Sequence, residues 1–364
     1  MQPQLAQWLP DKLPNDLRER FEQIGRLELL KEAITLNQEW LKLCLANHPK
    51  RSVVLYDLAW ALYRQFEQLG QHNDLDEAIL LQRQALELRP APHQDRSRSL
   101  SSLAAALHMQ FNQSGQHKDL EEAISLLQEA LELHPAPHPD RSMTLNNLGN
   151  ALCLQFEQSG QHKDLDEAIS LLQEALELQP APHPDRSMTL NNLGDALCMQ
   201  CEQSGQHKDL DEAISLVQEA LELQPVPHPN RSQSLFNLAL LKSTKFKQSG
   251  QSKDLEEAIS LNRAALDLRP VPHPERSSSL NNLALRLRSR FYQTHQQMDL
   301  EEAISLHREA VELTPAAHPS RSQKLNNLAE VLRICFEHSG EPRDLEEAIS
   351  LEQEAQALAP STAI

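Results

Sequence analysis

The stretch from residue 141 to residue 185, RSMTLNNLGNALCLQFEQSGQHKDLDEAISLLQEALELQPAPHPD, decides the fold of this 364-residue chain. Its first half carries leucines at spacings of three and four, as at Leu145, Leu148 and Leu152. This spacing predicts a helix with one apolar face. Gly160 predicts the end of that helix, because glycine readily adopts the left-handed backbone conformation that closes helices.

The second half of the stretch predicts another helix. Asp164 and Glu167 have the spacing of a capping box at a helix start, and Pro180 predicts the helix end. The stretch is therefore read as a helix–turn–helix pair, and the predicted fold class is all-α. Nine glycines and an aromatic content of 4% argue against a β-sandwich or β-barrel.

The same pattern returns every 45 residues along the chain. Arginine marks the period at Arg51, Arg96, Arg141, Arg186, Arg231, Arg276 and Arg321. A strict period of this size predicts one stacked array, here a right-handed superhelical α-solenoid of antiparallel helix pairs. We expect a degenerate N-terminal capping repeat at 1–50 and seven tandem repeats over 51–364. The predicted repeats are 51–95, 96–140, 141–185, 186–230, 231–275, 276–320 and 321–364.

Two neighbouring units, 141–185 and 186–230, differ at only six positions. Such near-identity within one chain indicates a recent duplication. A catalytic site is unique and rarely survives being copied into a scaffold, whereas a binding surface can simply lengthen. The duplication therefore weighs against an enzyme.

The repeat resembles the tetratricopeptide signature, with small residues where its two helices touch. The matching positions are Leu145, Leu148, Gly149, Leu152, Ala168, Leu172, Ala175 and Pro180. The lengthened unit resembles the kinesin-light-chain subtype and is similar to fungal tetratricopeptide arrays that often precede a CHAT protease domain. The resemblance implies a non-enzymatic protein–protein interaction scaffold. In it, an extended peptide or a partner helix would bind in the concave groove.

By the same resemblance, the first helix of each unit lines the concave face, at positions next to its leucines. One candidate peptide-binding column is Asn147, Asn192, Asn237, Asn282 and Asn327. A second candidate column is Asn146, Asn191, Asn281 and Asn326. An asparagine amide donates and accepts hydrogen bonds, so such a ladder can hold a peptide backbone. The alternative is that these amides cap helices or bond between repeats.

Charge along the chain is uneven. The formal net charge is −18, which argues against nucleic acid and anionic membranes as partners. Residues 231–290 nevertheless contain 11 basic and 5 acidic side chains. We expect Lys242, Arg288 and Arg333 to anchor an acidic segment of a protein or peptide partner. The alternative is a solvated basic face.

No cofactor, metal site or catalytic residue is expected. Cys198 and Cys201 form a Cys-Met-Gln-Cys motif, but no second ligand pair with metal spacing follows, so packed thiols are the favoured reading. Five cysteines without a disulfide framework and no apolar run of membrane-spanning length predict a cytoplasmic protein. Two alternative functions remain: a regulatory segment of a larger effector such as a CHAT-type protease, and end-to-end self-association through the C-terminal helix.

Overall fold

The computed structural model describes residues 17–21, 26–136, 138–205, 207–226, 228, 230–316, 318 and 320–358. Residues 17–21 are helical, and fifteen longer helices follow. These are α1 (Leu27–Leu43), α2 (Arg51–Leu69), α3 (His72–Glu87), α4 (Arg96–Ser114), α5 (His117–Glu132), α6 (Arg141–Ser159), α7 (His162–Glu177), α8 (Arg186–Ser204), α9 (His207–Glu222), α10 (Arg231–Ser249), α11 (Ser252–Asp267), α12 (Arg276–Thr294), α13 (Gln297–Glu312), α14 (Arg321–Ser339) and α15 (Pro342–Leu358). Residues 1–16 of the predicted capping repeat and the tail 359–364 lie outside the described residues.

From α2 onward, long and short helices alternate. Each first helix has 19 residues and begins at one of the arginines that mark the period. Each second helix has 16 residues, except for 17 in α15. Within each of the two compact units, consecutive helices pack against one another, as α2 does on α3 and α12 on α13. The all-α class and the solenoid of helix pairs are confirmed.

Helix α6 shows why the sequence forms these elements. Leu145, Leu148 and Leu152 are all buried, so the predicted apolar stripe faces the interior. The helix ends at Gly160, which has φ 67° and donates its N–H to the Phe156 carbonyl at 2.8 Å. This left-handed cap confirms the predicted helix end.

The predicted capping box at Asp164 is wrong. Helix α7 already begins at His162, so Asp164 lies in its first turn rather than before it. In the equivalent helix α5, the N-cap is Gln116, whose side chain makes no capping hydrogen bond. The Asp164 carboxylate instead accepts a hydrogen bond from Ser159 Oγ at 3.3 Å and complements the positive end of the helix dipole.

The arginines that mark the period join consecutive helix pairs. Arg141 Nη1 donates to the His134 carbonyl, just beyond the end of α5, at 2.9 Å. Its Nε donates to Glu174, on α7, at 2.8 Å. The C-terminal end of a helix carries partial negative charge, so a cation is stabilised there. The same two bonds recur at Arg96, Arg186, Arg276 and Arg321.

Small residues set the distance between the two helices of a pair. A Cβ atom built on Gly149 would lie 2.7 Å from Leu172 Cγ, and one built on Gly194 would lie 2.7 Å from Val217 Cγ2. Real Cβ contacts are longer than this, so these glycines allow the helices to approach closely. The close approach is the one that the tetratricopeptide resemblance implies.

The chain divides into two compact units, residues 1–175 and 176–364. In the first unit, a core of Leu30, Leu55 and Leu58 joins α1 to α2. In the second unit, a core of Leu287, Leu300 and Leu332 joins α12, α13 and α14. None of the helices in the described ranges combines the length and the apolar run that a bilayer span needs.

Candidate functional site

The first helices keep one narrow face open to solvent. On α6, this face consists of Met143, Asn147, Asn150 and Leu154, which follow each other at spacings of four, three and four. Met143 is 41% exposed, and the other three are half-buried. The residues between them are mostly buried against neighbouring helices. We call the equivalent positions on all first helices the first-helix stripe.

In the first unit, the first-helix stripe runs over three helices. Its members are Val53, Asp57, Trp60 and Arg64 on α2, Arg98, Ser102, Ala105 and Met109 on α4, and Met143, Asn147, Asn150 and Leu154 on α6. All twelve are exposed or half-buried. Helix α4 contacts both α2 and α6, and Ser102 Oγ donates to Tyr56 Oη at 3.1 Å. The stripes of these helices therefore form one polar and apolar surface.

In the second unit, the first-helix stripe runs over four helices. Its members are Met188, Asn192, Asp195 and Met199 on α8, Gln233, Asn237, Leu240 and Thr244 on α10, Ser278, Asn282, Leu285 and Ser289 on α12, and Gln323, Asn327, Glu330 and Ile334 on α14. Asn237, Thr244 and Ile334 are buried, and the remaining thirteen are exposed or half-buried. Apolar side chains thus lie next to amides, hydroxyls and two carboxylates on this surface.

The first predicted column lies on this stripe but is not uniform. Asn147, Asn192, Asn282 and Asn327 are half-buried, whereas Asn237 is 4% exposed. Asn237 Nδ2 donates to Asp195 at 2.7 Å, and its Oδ1 accepts from Gln233 at 2.7 Å. The Asn237 amide is therefore occupied by one hydrogen bond within α10 and one from α10 to α8.

Asn327 and Asn147 each share an amide atom with a neighbouring asparagine. Asn327 Nδ2 donates to Asn281 Oδ1 at 3.0 Å, and Asn147 Oδ1 accepts from Asn146 at 3.2 Å. Among the described residues, the Asn282 amide makes no hydrogen bond within the chain. Peptide binding by the four half-buried members stays a prediction.

The second predicted column occupies three different environments. Asn146 and Asn191 are buried, Asn281 is half-buried and Asn326 is exposed. Asn191 Nδ2 donates to the Ser187 carbonyl at 2.8 Å and to Ser234 Oγ at 2.7 Å. Asn191 therefore bonds between two first helices, and neither of the two buried amides lies on an open surface. The alternative interpretation of the sequence, bonding between repeats, describes Asn191.

The three predicted anchoring cations already have partners within the chain. Lys242 Nζ lies 2.7 Å from Glu257, on α11. Arg288 pairs with Glu330, on α14.

Arg333 Nε and Nη2 each donate to Glu352, on α15, at 2.7 Å. An acidic segment would have to compete with these three carboxylates, so the structure does not favour the charge attraction that the sequence predicts.

Asp57 takes the place of asparagine in the first column. Burial raises the pKa of its carboxyl to about 6, although the guanidinium groups of Arg18, Arg89 and Arg98 act to lower it. Arg98 is exposed on the same stripe. The Asp57 carboxyl therefore changes its charge near neutral pH, and with it the charge of the first-helix stripe on α2.

The cysteines do not form a redox pair. Cys198 and Cys201 are both free, and Cys201 is buried. Burial raises the pKa of the Cys198 thiol to about 12, so it stays protonated and unreactive near neutral pH. This placement agrees with the packed thiols that the sequence favours.

Sequence reasoning found one stripe position, the asparagine, on five of the seven first helices and missed the rest. Met143, Asn150 and Leu154 were not singled out. Met143 and Asn150 lie four and three residues from Asn147, and Leu154 lies four residues beyond Asn150. This helical spacing is the signal that could have found them.

A tetratricopeptide repeat family model matches residues 97–140, 142–185 and 276–320. A comparison with curated proteins finds no match. Among solved structures, the human IFIT1 dimer with PPP-AAAA is 17% identical with a TM-score of 0.60, and the match covers 92% of this chain and 70% of that one. An IFIT1 monomeric mutant with Gppp-AAAA is 18% identical with a TM-score of 0.62, over 91% and 68% of the two chains.

A Podosopora anserina protein described as a kinesin light chain with nearly identical TPR-like repeats is 20% identical, with a TM-score of 0.44. That match covers 61% of this chain and 100% of the other. The likeness to IFIT1 shows a shared helical-repeat fold. The matched family model identifies the segments 97–140, 142–185 and 276–320 as tetratricopeptide repeats, in agreement with the resemblance in the sequence.

Proposed function

We propose that this chain is a non-enzymatic protein–protein interaction scaffold whose first-helix stripe binds an extended peptide or a partner helix. The observation that carries the proposal is the stripe itself. It offers half-buried amides next to methionines and leucines. Such a mixture suits protein recognition, since apolar side chains supply buried area and amides satisfy backbone groups.

The binding energy would come from several modest contacts. A hydrogen bond to a stripe amide contributes about 0.5–1.5 kcal/mol net. Burial of apolar side chains such as Met188 and Met199 adds roughly 25 cal/mol for each Å² removed from water. A few such contacts are compatible with affinities around micromolar, about −8 kcal/mol.

The partner is proposed to be a protein rather than a nucleic acid. Human IFIT1 has been solved with PPP-AAAA, so RNA is a natural comparison for a chain of this fold. The net charge of −18 opposes binding to a phosphate backbone. Lys242, Arg288 and Arg333 are paired with glutamates, so these cations are already partly neutralised within the chain. The five free cysteines suit the reducing cytoplasm, which we propose as the location.

The test compares two triple variants of the full chain in affinity capture with mass spectrometry. One variant carries Asn192→Ala, Asn282→Ala and Asn327→Ala on the stripe. The matched control carries Ser215→Ala, Ser260→Ala and Ser305→Ala, which are exposed positions on the second helices at the same spacing of 45 residues. We expect the stripe variant to lose proteins that the wild type and the control both retain.

Equal recovery of the same proteins by all three chains would contradict the proposed surface. A parallel titration with PPP-AAAA tests the nucleic-acid alternative, and we expect no binding. Tight binding of that oligonucleotide, lost in the stripe variant, would replace the protein partner by RNA. An acidic peptide and a neutral peptide of the same length test the predicted acidic segment.

A further inference from the structure

The loop between α5 and α6 brings two histidines and an aspartate together. His134, His138 and Asp140 each offer a ligand atom, and these atoms all lie within 4.8 Å of one another. The two imidazole rings stack, with centroids 4.1 Å apart and an interplanar angle of 18°, so the half-buried His138 ring has to turn before a lone pair of each ring can point at one ion. His134 is 2% exposed, whereas Asp140 lies at the surface. His134 thus lies in the protein interior, whereas the Asp140 end of the cluster is open to solvent.

The hydrogen bonds around His134 fix its tautomer. The Thr144 hydroxyl donates to the Asp140 carbonyl at 3.1 Å, so its oxygen accepts from His134 Nδ1–H, 3.1 Å away. The lone pair of the imidazole is then on Nε2. That nitrogen is buried and has no hydrogen-bond partner. A neutral histidine held through Nδ1–H, with a free Nε2, is the arrangement that metal-binding histidines adopt.

The other two side chains can complete a coordination shell. His138 Nδ1 accepts the Asp140 backbone N–H at 3.1 Å, and coordination would replace this weak backbone bond by a metal bond. Arg141 is the cation next in sequence, but Glu174 pairs with it at 2.7 Å. Its charge is therefore largely compensated.

One residue distinguishes this loop from its duplicate. Residues 134–140 read HPAPHPD and residues 179–185 read QPAPHPD. In the duplicate, the bond from the Asp185 N–H to His183 Nδ1 and the bond from Thr189 Oγ1 to the Asp185 carbonyl are both kept. Gln179 is fully buried there. The loop 179–185 can therefore serve as a control, because its sequence differs from that of 134–140 only at the buried position, where Gln179 replaces His134.

We propose that His134, His138 and Asp140 bind a divalent cation of the Zn²⁺ class. Imidazole nitrogens with one carboxylate oxygen suit zinc, and three protein ligands leave one coordination position for water or for a side chain of a bound protein. Thr144 acts as a positioning residue, since it orients His134 through Nδ1–H. The site is independent of the first-helix stripe.

The test is calorimetric titration of the full chain with Zn²⁺ alone. We expect one equivalent to bind to the wild type, and His134→Gln to abolish this binding. Gln179→His, which gives the duplicate loop the same sequence, should add a second equivalent. Thr144→Val should weaken binding about 10–100-fold without removing a ligand. Visible absorption of the Co²⁺ complex checks that nitrogen and oxygen ligands form a four-coordinate site.

Folding is not at risk in the main comparison, because glutamine already occupies the buried position in the duplicate loop; circular dichroism verifies it. An unchanged stoichiometry and affinity in His134→Gln would overturn the proposal, since the remaining histidines would then account for the binding. A Gln179→His chain that takes up no second equivalent would overturn it as well.

Discussion

At the scale of single residues, Asp57 shows how one substitution in a repeated column creates a special environment. Five other first helices carry asparagine at this position: Asn147, Asn192, Asn237, Asn282 and Asn327. An aspartate in the same half-buried place must lose water around its charge when the chain folds. Burial therefore raises its pKa to about 6, against an ordinary value of 3.8.

The first prediction is that Asp57→Asn stabilises the chain at neutral pH. The folded state binds the Asp57 proton more tightly than the unfolded state, so wild-type stability falls as pH rises from about 4 to about 6 and stays lower above that range. The variant should lack this fall and gain about 1–3 kcal/mol at pH 7. Urea unfolding of the wild type and the variant at pH 4 and pH 7 measures the fall in wild-type stability and the gain of the variant. A variant that is less stable than the wild type at pH 7 would contradict this origin of the shift.

The ion-pair partners of individual arginines could not be predicted from the sequence. Arg288 and Glu330 are 42 residues apart, and Arg333 and Glu352 are 19 apart. Which carboxylate each guanidinium reaches depends on helix packing and rotamers, and the helical pattern does not specify either. The local charge count therefore indicated a free basic face, whereas the folded chain pairs these cations.

At the scale of helices, the repeat predicted which elements form but not how much of each is covered. A first helix packs on its own second helix, on the preceding second helix and on neighbouring first helices. Asn191 is consequently buried although it lies only one position from the half-buried Asn192. The leucine pattern locates the core face, but the width of the open face depends on these further contacts.

The second prediction concerns the arginines that join helix pairs. Arg141→Ala removes the bonds to the His134 carbonyl and to Glu174 from a largely buried side chain. The side chain of Arg141 is only 19% exposed, and its removal leaves a helix-end carbonyl and a carboxylate without their cation, so we expect a loss of about 1–3 kcal/mol. The measurement is the urea midpoint of unfolding.

The matched control for Arg141→Ala is Arg263→Ala. Arg263 pairs with Glu302 on the surface, where both side chains are more than 40% exposed. An exposed pair contributes about 0–1 kcal/mol, so this midpoint should hardly move. If both variants lowered the midpoint equally, the arginines of the period would have no special role in joining the pairs.

At the scale of the whole molecule, helix α15 leaves an apolar surface exposed. Ile349 is 42% exposed, and only Ala348 and Ala355 of this helix are buried. The third prediction is that association of the chain, if light scattering detects it at raised concentration, is abolished by Ile349→Glu. Ser350→Glu, an exposed neighbour, is the control. Association that persists in Ile349→Glu would exclude this helix as the contact.

The central claim is that the first-helix stripe contacts a protein partner. The most direct measurement places a photo-crosslinking amino acid at Asn282, on the stripe, and in a second chain at Ser260, on the neighbouring second helix. After irradiation in extract, the account predicts a protein crosslinked through position 282 and none through position 260. Crosslinks of equal yield from both positions, or from position 260 alone, would contradict it.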